Sequence, residues 1–196
     1  MSSQVSTVPR RELNARQAGT VEKLLAAAVE ELTAVGVDGL TIRTVALRAG
    51  VSSATAYTYF SSKNHLFAEL FLRHVMEQDR PRPEGDDPLA RVQSLIHHIA
   101  SRLAAAPEVA AGATMALLTN DLDVNRLRLR IGAEFYAGFQ EAIGGSPDPD
   151  LVDTLVLAFS GALLQAGMGL MTYTEMGERL DAAVAVIMRG NDDPDE

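Results

Sequence analysis

The segment from Thr41 to Phe67 is rich in side chains that can bind nucleic acid. It reads TIRTVALRAGVSSATAYTYFSSKNHLF, with hydroxyl-bearing residues on both sides of Gly50. Hydroxyl groups can hydrogen-bond phosphate oxygens or base edges, and a lysine at the start of a helix adds positive charge beside amides that already favour a phosphate. These residue types at this spacing predict a contact surface for DNA.

Two short helices joined by a tight turn must position these side chains. Thr41 is the predicted N-cap of the first helix, and Ser52 or Ser53 is that of the second. Gly50 permits the sharp turn between them, and the small Ala46 lets the two helices pack closely. The pattern therefore predicts a helix-turn-helix unit.

The aromatic residues of the second helix have two interpretations. Tyr57, Tyr59 and Phe60 can all be packing residues of a helical bundle, which we expect only of Phe60. A short polar helix with hydroxyl caps at both ends favours DNA contact for Tyr57 and Tyr59. Lys63 begins the next helix, where its ammonium group and the first backbone amides can share one phosphate.

The same segment resembles the DNA-binding signature of the tetracycline-repressor (TetR) family of bacterial transcription regulators. The sequence departs from the family pattern at Ala54, Ala56 and Asn64, and none of these changes removes a phosphate-contacting group. The last two-thirds of the chain resembles the family in architecture only. The matching elements are Thr41, Val45-Ala46, Ala49-Gly50-Val51-Ser52, Thr55-x-Tyr57-x-Tyr59-Phe60 and Ser62-Lys63.

The resemblance implies a role for each residue of the unit. Residues at the start of the first helix would contact the DNA backbone, the exposed face of the second would read bases, and the tyrosines and the lysine would bind phosphates. Arg10 and Arg11 would either reach a neighbouring groove or form part of a solvated tail. The predicted DNA-binding residues are Thr41, Arg43, Ser52, Ser53, Ala54, Thr55, Tyr57, Thr58, Tyr59 and Lys63.

The distribution of charge supports a DNA-binding head on a different kind of body. The 196 residues carry a net charge of −9, which by itself argues against nucleic acid. Through Val75, however, there are eight basic and six acidic residues, whereas the remainder has nine basic and twenty acidic ones. The absence of cysteine excludes a disulfide scaffold and thiolate metal sites, and the polar first residues lack a secretory signal. We expect a cytoplasmic protein.

Apolar residues recur at helical spacing along almost the whole chain, and no strand pattern is present. The sequence predicts an all-α fold of about nine helices. Its expected parts are a flexible arm at 1–14, the DNA-binding head at 15–62, an effector-binding and dimerisation body at 63–189 and an acidic tail at 190–196. The eighth helix is expected to run from Leu151 to Tyr173.

A stretch of uncharged residues from Thr154 to Thr174 is long enough to raise the question of a membrane span. Its polar residues, its three glycines and its acidic flanks argue against one. We expect instead a helix buried in a homodimer, with small residues at a spacing of four that let two backbones approach. The predicted interface residues are Ala158, Ala162, Ala166, Leu180, Val184 and Ile187.

A second aromatic group lies on the seventh and eighth helices. Composition alone favours an ordinary core, but the family resemblance implies a pocket for a small, largely apolar effector. The polar groups that would orient it are individually weak candidates. The residues considered are His97, Asn120, Arg130, Phe135, Tyr136, Phe139, Phe159, Gln165 and Met168.

An enzyme is a distant third hypothesis. The four histidines lack metal-ligand spacing, and His97 and His98 point about 100° apart on a helix. No catalytic residue, metal or cofactor is predicted. We expect an effector-responsive repressor that binds a pseudo-palindromic DNA operator as a homodimer and does not act at a membrane. The alternative is a helical small-molecule-binding or interaction protein without operator-specific regulation.

Overall fold

The computed structural model describes residues 15–77 and 83–189, and within these ranges it has nine α-helices and no strand. The all-α prediction is confirmed. The predicted arm at 1–14, with Arg10 and Arg11, and the acidic tail at 190–196 lie outside the described residues. The helices are α1 Ala15–Gly39, α2 Ile42–Arg48, α3 Ser53–Tyr59, α4 Lys63–Phe71 with a π-helical continuation Leu72–Glu77, α5 Pro88–Ala105, α6 Pro107–Leu117, α7 Leu122–Ile143, α8 Pro149–Gly167 and α9 Tyr173–Arg189.

Side-chain caps begin the three helices after α1. Thr41 and Thr44 exchange hydrogen bonds at 3.1 Å between side-chain oxygen and backbone amide, which forms a capping box at α2. Of the two candidate caps for α3, Ser52 holds the position and Ser53 is the first helical residue. Ser62 caps α4. These local signals were readable in the sequence because a cap needs only its own helix.

The connection between α8 and α9 corrects the prediction. The eighth helix ends at Gly167 rather than at Tyr173, because Gly169 adopts a φ of 77° that ends helical geometry. Tyr173 instead begins α9, where it is 6% exposed. The absence of charge across this stretch hid the turn, although its closely spaced glycines were the available signal.

Two hydrophobic clusters form the core, and they divide within α4 rather than at its start. The first cluster contains the buried faces of α1–α3 together with Leu66, Phe67 and Leu70 of α4. Val109 and Ala116 of α6 belong to the same cluster. The second cluster joins the end of α4 to α5, α7, α8 and α9. The head formed by α1–α3 is therefore packed onto α6 and shares α4 with the body.

The packing of α4 against α6 requires a glycine. A Cβ atom at Gly112 would lie 2.4 Å from Cε1 of Phe67, closer than two carbon atoms can approach. Because Phe67 is 1% exposed, its ring has little space into which it can move. Gly112 thus sets how closely the body approaches the head.

Candidate nucleic-acid interface

The turn between α2 and α3 presents the second helix outward. Gly50 has a φ of 67°, and the amide of Val51 donates to the carbonyl oxygen of Ala46 at 3.0 Å. Ala56 is fully buried under α3, and Phe60 is 3% exposed at its end. Phe60 is therefore a packing residue, as predicted, and the opposite face of α3 is left free.

The exposed face of α3 carries Ser53, Ala54, Tyr57 and Thr58. The Tyr57 ring is 46% exposed, which is high for a large apolar side chain in a folded head. The Thr58 hydroxyl donates to the carbonyl oxygen of Ala54 at 3.0 Å, so it faces an outside partner as an acceptor. This face has the size and chemistry to enter a major groove.

Several of the predicted contact residues also have structural partners within the head. The hydroxyls of Thr55 and Ser52 lie 2.8 Å apart within the α3 cap, and Thr41 is engaged in the α2 capping box. Tyr59 is half-buried against the head cluster. Arg43 is exposed on α2. The structure therefore places Arg43 outward and gives the hydroxyls of the caps a role in shaping the backbone.

Lys63 also has a structural task that the sequence did not reveal. Its ammonium group donates to the carbonyl oxygen of Val37 and, at 3.4 Å, to that of Asp38. These carbonyls follow the break in α1 at Gly36, so Lys63 fastens α4 to the α1–α2 connection. Since an ammonium has three N–H groups, one remains for a phosphate.

An ion pair that sequence reasoning missed holds α2 against α1. Arg48 Nε lies 2.7 Å from Oε2 of Glu31, and Arg48 Nη1 lies 3.8 Å from Glu30. Glu31 is 7% exposed. The signal was its position two helical turns after Leu24, which places a carboxylate on the buried stripe of α1.

Of the residues predicted for an effector pocket, the structure brings the aromatic ones of α7 and α8 together and disperses the polar ones. Phe135, Phe139 and Phe159 are each at most 5% exposed, and the Phe159 ring centroid lies 4.9 and 5.8 Å from the other two. They form core, with Tyr136 half-buried against it. The polar candidates are dispersed: His97 is 2.8 Å from Asp181 across α5 and α9, Arg130 is half-buried on α7, and Asn120 and Gln165 are exposed. The apolar candidate Met168 is also exposed.

A shallow cleft of about 450 Å³ lies elsewhere in the body, between the α5–α6 corner and the α8–α9 turn. Ala111, Gly167 and Met171 contribute to its largely apolar lining, together with Tyr173. Burial raises the pKa of the Tyr173 phenol, and the neighbouring Thr114 hydroxyl partly offsets this effect. The phenol is therefore neutral at physiological pH.

The six residues predicted for a dimer interface differ in their exposure. Ala166, Leu180 and Val184 are 6%, 3% and 1% exposed, so they lie inside the core of their own protomer. The predicted residues Ala158, Ala162 and Ile187 are half-buried. The exposed side of these two helices is formed by Leu157 and Gly161 of α8, by Met168 directly after the end of α8, and by Val186 of α9. Because α8 is apolar nearly all round, periodicity could not indicate which side faces outward.

Within the described part of the chain, α8 is the one helix long and apolar enough to cross a membrane by length and composition. Only 22% of its apolar window is buried in the protomer. Leu157 is 73% exposed on this helix. The outward side of α8 is therefore an exposed apolar surface.

Comparison with known proteins agrees with the geometry of the head. Residues 24–70 match the model of the bacterial regulatory proteins of the tetR family. An HTH-type transcriptional regulator of Mycobacterium tuberculosis (strain ATCC 25618 / H37Rv) is 43% identical over 197 residues, covering 98% of this chain and 92% of the relative. The HTH-type regulator YvdT of Bacillus subtilis (strain 168) is 37% identical over 81 residues, covering 40% of this chain and 42% of that protein.

Solved structures show the same fold. A TetR transcriptional regulator from Rhodococcus sp. RHA1 has a TM-score of 0.72 at 19% identity, covering 88% of this chain and 97% of that one. The transcriptional regulator FadR from Bacillus subtilis, crystallised with stearoyl-CoA, has a TM-score of 0.56 at 19% identity, covering 83% of this chain and 96% of that one. These matches are to transcription regulators rather than to enzymes.

Proposed function

Since the chain belongs to the tetR family of bacterial regulatory proteins and is a DNA-binding transcription regulator, we propose that it is an effector-responsive repressor. It binds a pseudo-palindromic operator in the cytoplasm as a homodimer. The observation that carries this proposal is the outward face of α3, where Ser53, Ala54, Tyr57 and Thr58 lie free of the head's core. Such a face suits base recognition in the major groove.

Sequencing the genomic DNA fragments that the purified protein retains tests operator binding. We expect the retained fragments to share a two-fold symmetric motif near promoters. Deletion of the gene that encodes this protein should raise the expression of the adjacent genes. Fragments without a shared motif would contradict operator-specific binding. Lower expression after deletion would contradict repression.

Substitutions on the two helices separate base reading from phosphate binding. Ser53→Ala should change the preference among operator variants, because the side chain lies on the base-facing side of α3. Arg43→Ala should weaken binding to all sequences alike and reduce the salt slope by about 0.9, the loss of one phosphate contact. Arg43 is a cleaner probe than Lys63, whose removal would also free the carbonyls of Val37 and Asp38. Identical effects of the two variants on every operator would contradict this division.

The homodimer is supported by the exposed apolar face of α8 and α9. A point group of two-fold symmetry would place this face against itself and two α3 helices on one side of the DNA. Leu157→Asp should shift light scattering from dimer to monomer and weaken operator binding. Leu47, 82% exposed on α2, provides a matched control, because Leu47→Asp adds the same charge to the head and should stay dimeric. A Leu157→Asp dimer would contradict the proposed face.

The effector is a small, largely apolar compound, neutral or cationic, because the acidic body disfavours an anion. The apolar cleft beside Tyr173 is the proposed site. A coupling of about 1–3 kcal/mol between effector and DNA would change operator affinity 5- to 150-fold.

A thermal-shift screen of apolar compounds followed by DNA-release assays tests the effector. Ala111→Leu should abolish the response by filling the cleft, whereas Ala105→Leu on the exposed end of α5 should retain it. A compound that stabilises the protein without changing operator affinity would contradict the coupling. A response that survives Ala111→Leu would place the site elsewhere.

A further inference from the structure

Two serine–aspartate hydrogen bonds join the start of α4 to the start of α7. Ser61 Oγ donates to Oδ2 of Asp123 at 2.7 Å, and Ser62 Oγ donates to Oδ2 of Asp121 at 2.7 Å. An ionised carboxylate only accepts, so the direction of both bonds is fixed. We call this group of four residues the clasp.

The clasp serves two helix N-termini with one carboxylate. Asp121 Oδ1 accepts from the amides of Asp123 at 2.9 Å and Val124 at 3.3 Å, which caps α7. Its other oxygen binds the hydroxyl of Ser62, which itself accepts from the amide of His65 at 3.0 Å and caps α4. The Ser62 hydrogen bond lowers the pKa of Asp121. The carboxylate is therefore ionised and faces the positive ends of both helices.

Both sides of the clasp are held by further contacts. Arg128 donates to the carbonyl oxygens of Leu117 at 2.7 Å and Thr119 at 2.6 Å, which joins the end of α6 to α7. On the head side, Lys63 bonds to Val37. The clasp thus connects two units that are each fixed internally.

We propose that Asp121 and Asp123 are positioning residues for operator binding, which hold the head at one orientation relative to the body. Ser61 follows Phe60, the residue that ends α3, so α3 moves when the clasp moves. This inference rests on the proposed homodimer, in which the distance between two α3 helices must match about one turn of DNA, 34–36 Å. A loosened clasp leaves that distance less strictly defined.

The chain contains a matched control for each carboxylate. Asp148 caps α8 as Asp121 caps α7, and the amide of Asp150 donates to Asp148 at 2.9 Å as that of Asp123 does to Asp121. Alanine at either position of a pair removes the same capping or first-turn charge. Only the substitutions in α7 also remove a bond to the head.

The experiment measures the affinity of the full-length variants for synthetic operators whose half-sites are moved one base pair closer or further apart. Wild type should strongly prefer one spacing. Asp123→Ala, Asp121→Ala and Ser61→Ala should reduce that preference about 3- to 10-fold, the scale of the net contribution of one typical intramolecular hydrogen bond. Asp150→Ala and Asp148→Ala should keep it. Affinity for a single half-site should not change in any variant, which separates positioning from damage to the head.

Two results would overturn the inference in different ways. A wild-type preference that all three clasp variants retain would show that the clasp does not position the head, while leaving the homodimer intact. A wild type without any spacing preference would contradict binding of a pseudo-palindrome by a dimer, and the positioning role would be contradicted with it.

A Ser61→Ala/Asp123→Ala double variant should lose no more spacing preference than either single variant, because each single substitution already removes the same hydrogen bond.

Discussion

Replacing Gly112 by alanine tests the closeness of α4 and α6. The new Cβ would lie 2.4, 2.6 and 2.8 Å from three ring carbons of Phe67. Favourable carbon contacts begin at about 3.5 Å, so the helices must separate by about 1 Å or the ring must leave its position. Gly132 on α7 is the matched control, because nothing lies within 4 Å of the position of its Cβ.

Both variants gain helix propensity, but only Gly112→Ala also overpacks the core. Alanine in a helix gains about 0.8–1 kcal/mol over glycine at both positions. Overpacking a core costs about 1–3 kcal/mol and applies at Gly112 alone. The difference in free energy of unfolding between Gly112→Ala and Gly132→Ala is therefore about 1–3 kcal/mol, since the helix term cancels. For a chain of this length, each kcal/mol corresponds to about 2–4 °C of Tm. The Tm of Gly112→Ala should therefore lie about 2–12 °C below that of Gly132→Ala.

Urea denaturation and calorimetry on both variants measure this difference. Adding Phe67→Leu to Gly112→Ala should recover part of the loss, because the smaller side chain vacates the position that the methyl group needs. If Gly112→Ala is as stable as Gly132→Ala, the contact does not limit the approach of the helices. The reasoning about α4 and α6 would then be refuted.

Three further predictions concern the head and its junction with the body. Arg48→Ala should lower the free energy of unfolding by about 1–3 kcal/mol, because it leaves the buried Glu31 unpaired, whereas Arg43→Ala should change it by less than about 0.5 kcal/mol; urea titration distinguishes the two. Ser52→Ala should cost about 1 kcal/mol through the lost α3 cap and weaken operator binding in a gel-shift assay. The pKa of Asp121 is lower in the folded than in the unfolded chain, so its stabilising contribution is complete above the unfolded value of 3.8 and is lost as pH falls through the folded value. Asp121→Asn should therefore flatten the acid limb of a stability profile on the acid side of the unfolded value of 3.8. An unchanged limb would contradict the assignment.

The head could be predicted from sequence because its determinants are local. The caps at Thr41, Ser52 and Ser62 each act within one helical turn, and Gly50 fixes the turn by its own backbone. For Lys63 the sequence predicts a phosphate contact but not the bonds to the head, since the carbonyls that it binds lie 25 and 26 residues earlier. A pattern along the chain does not show that kind of contact.

The body was less predictable because its helices are apolar on several sides. The sequence predicts that Leu180 and Val184 contact a partner chain, whereas in the structure α9 packs both side chains into the core. The aromatic residues of α7 and α8 are similarly ambiguous between core and pocket, and the structure packs Phe135 against Phe159 with their ring planes at 59°. Composition fixes that such residues are buried but not which surface buries them.

The sharing of the head's core with α6 has a consequence for protein synthesis and for engineering. During translation the chain from α1 to α3 emerges well before Val109 and Ala116, so the head remains without part of its apolar cover until α6 has been made. For the same reason, a chimera that fuses residues up to 62 to another protein's body would lack α6, the helix that completes the packing of the head. A head that is moved to another protein must include α6, or the new protein must supply the apolar surface that α6 contributes.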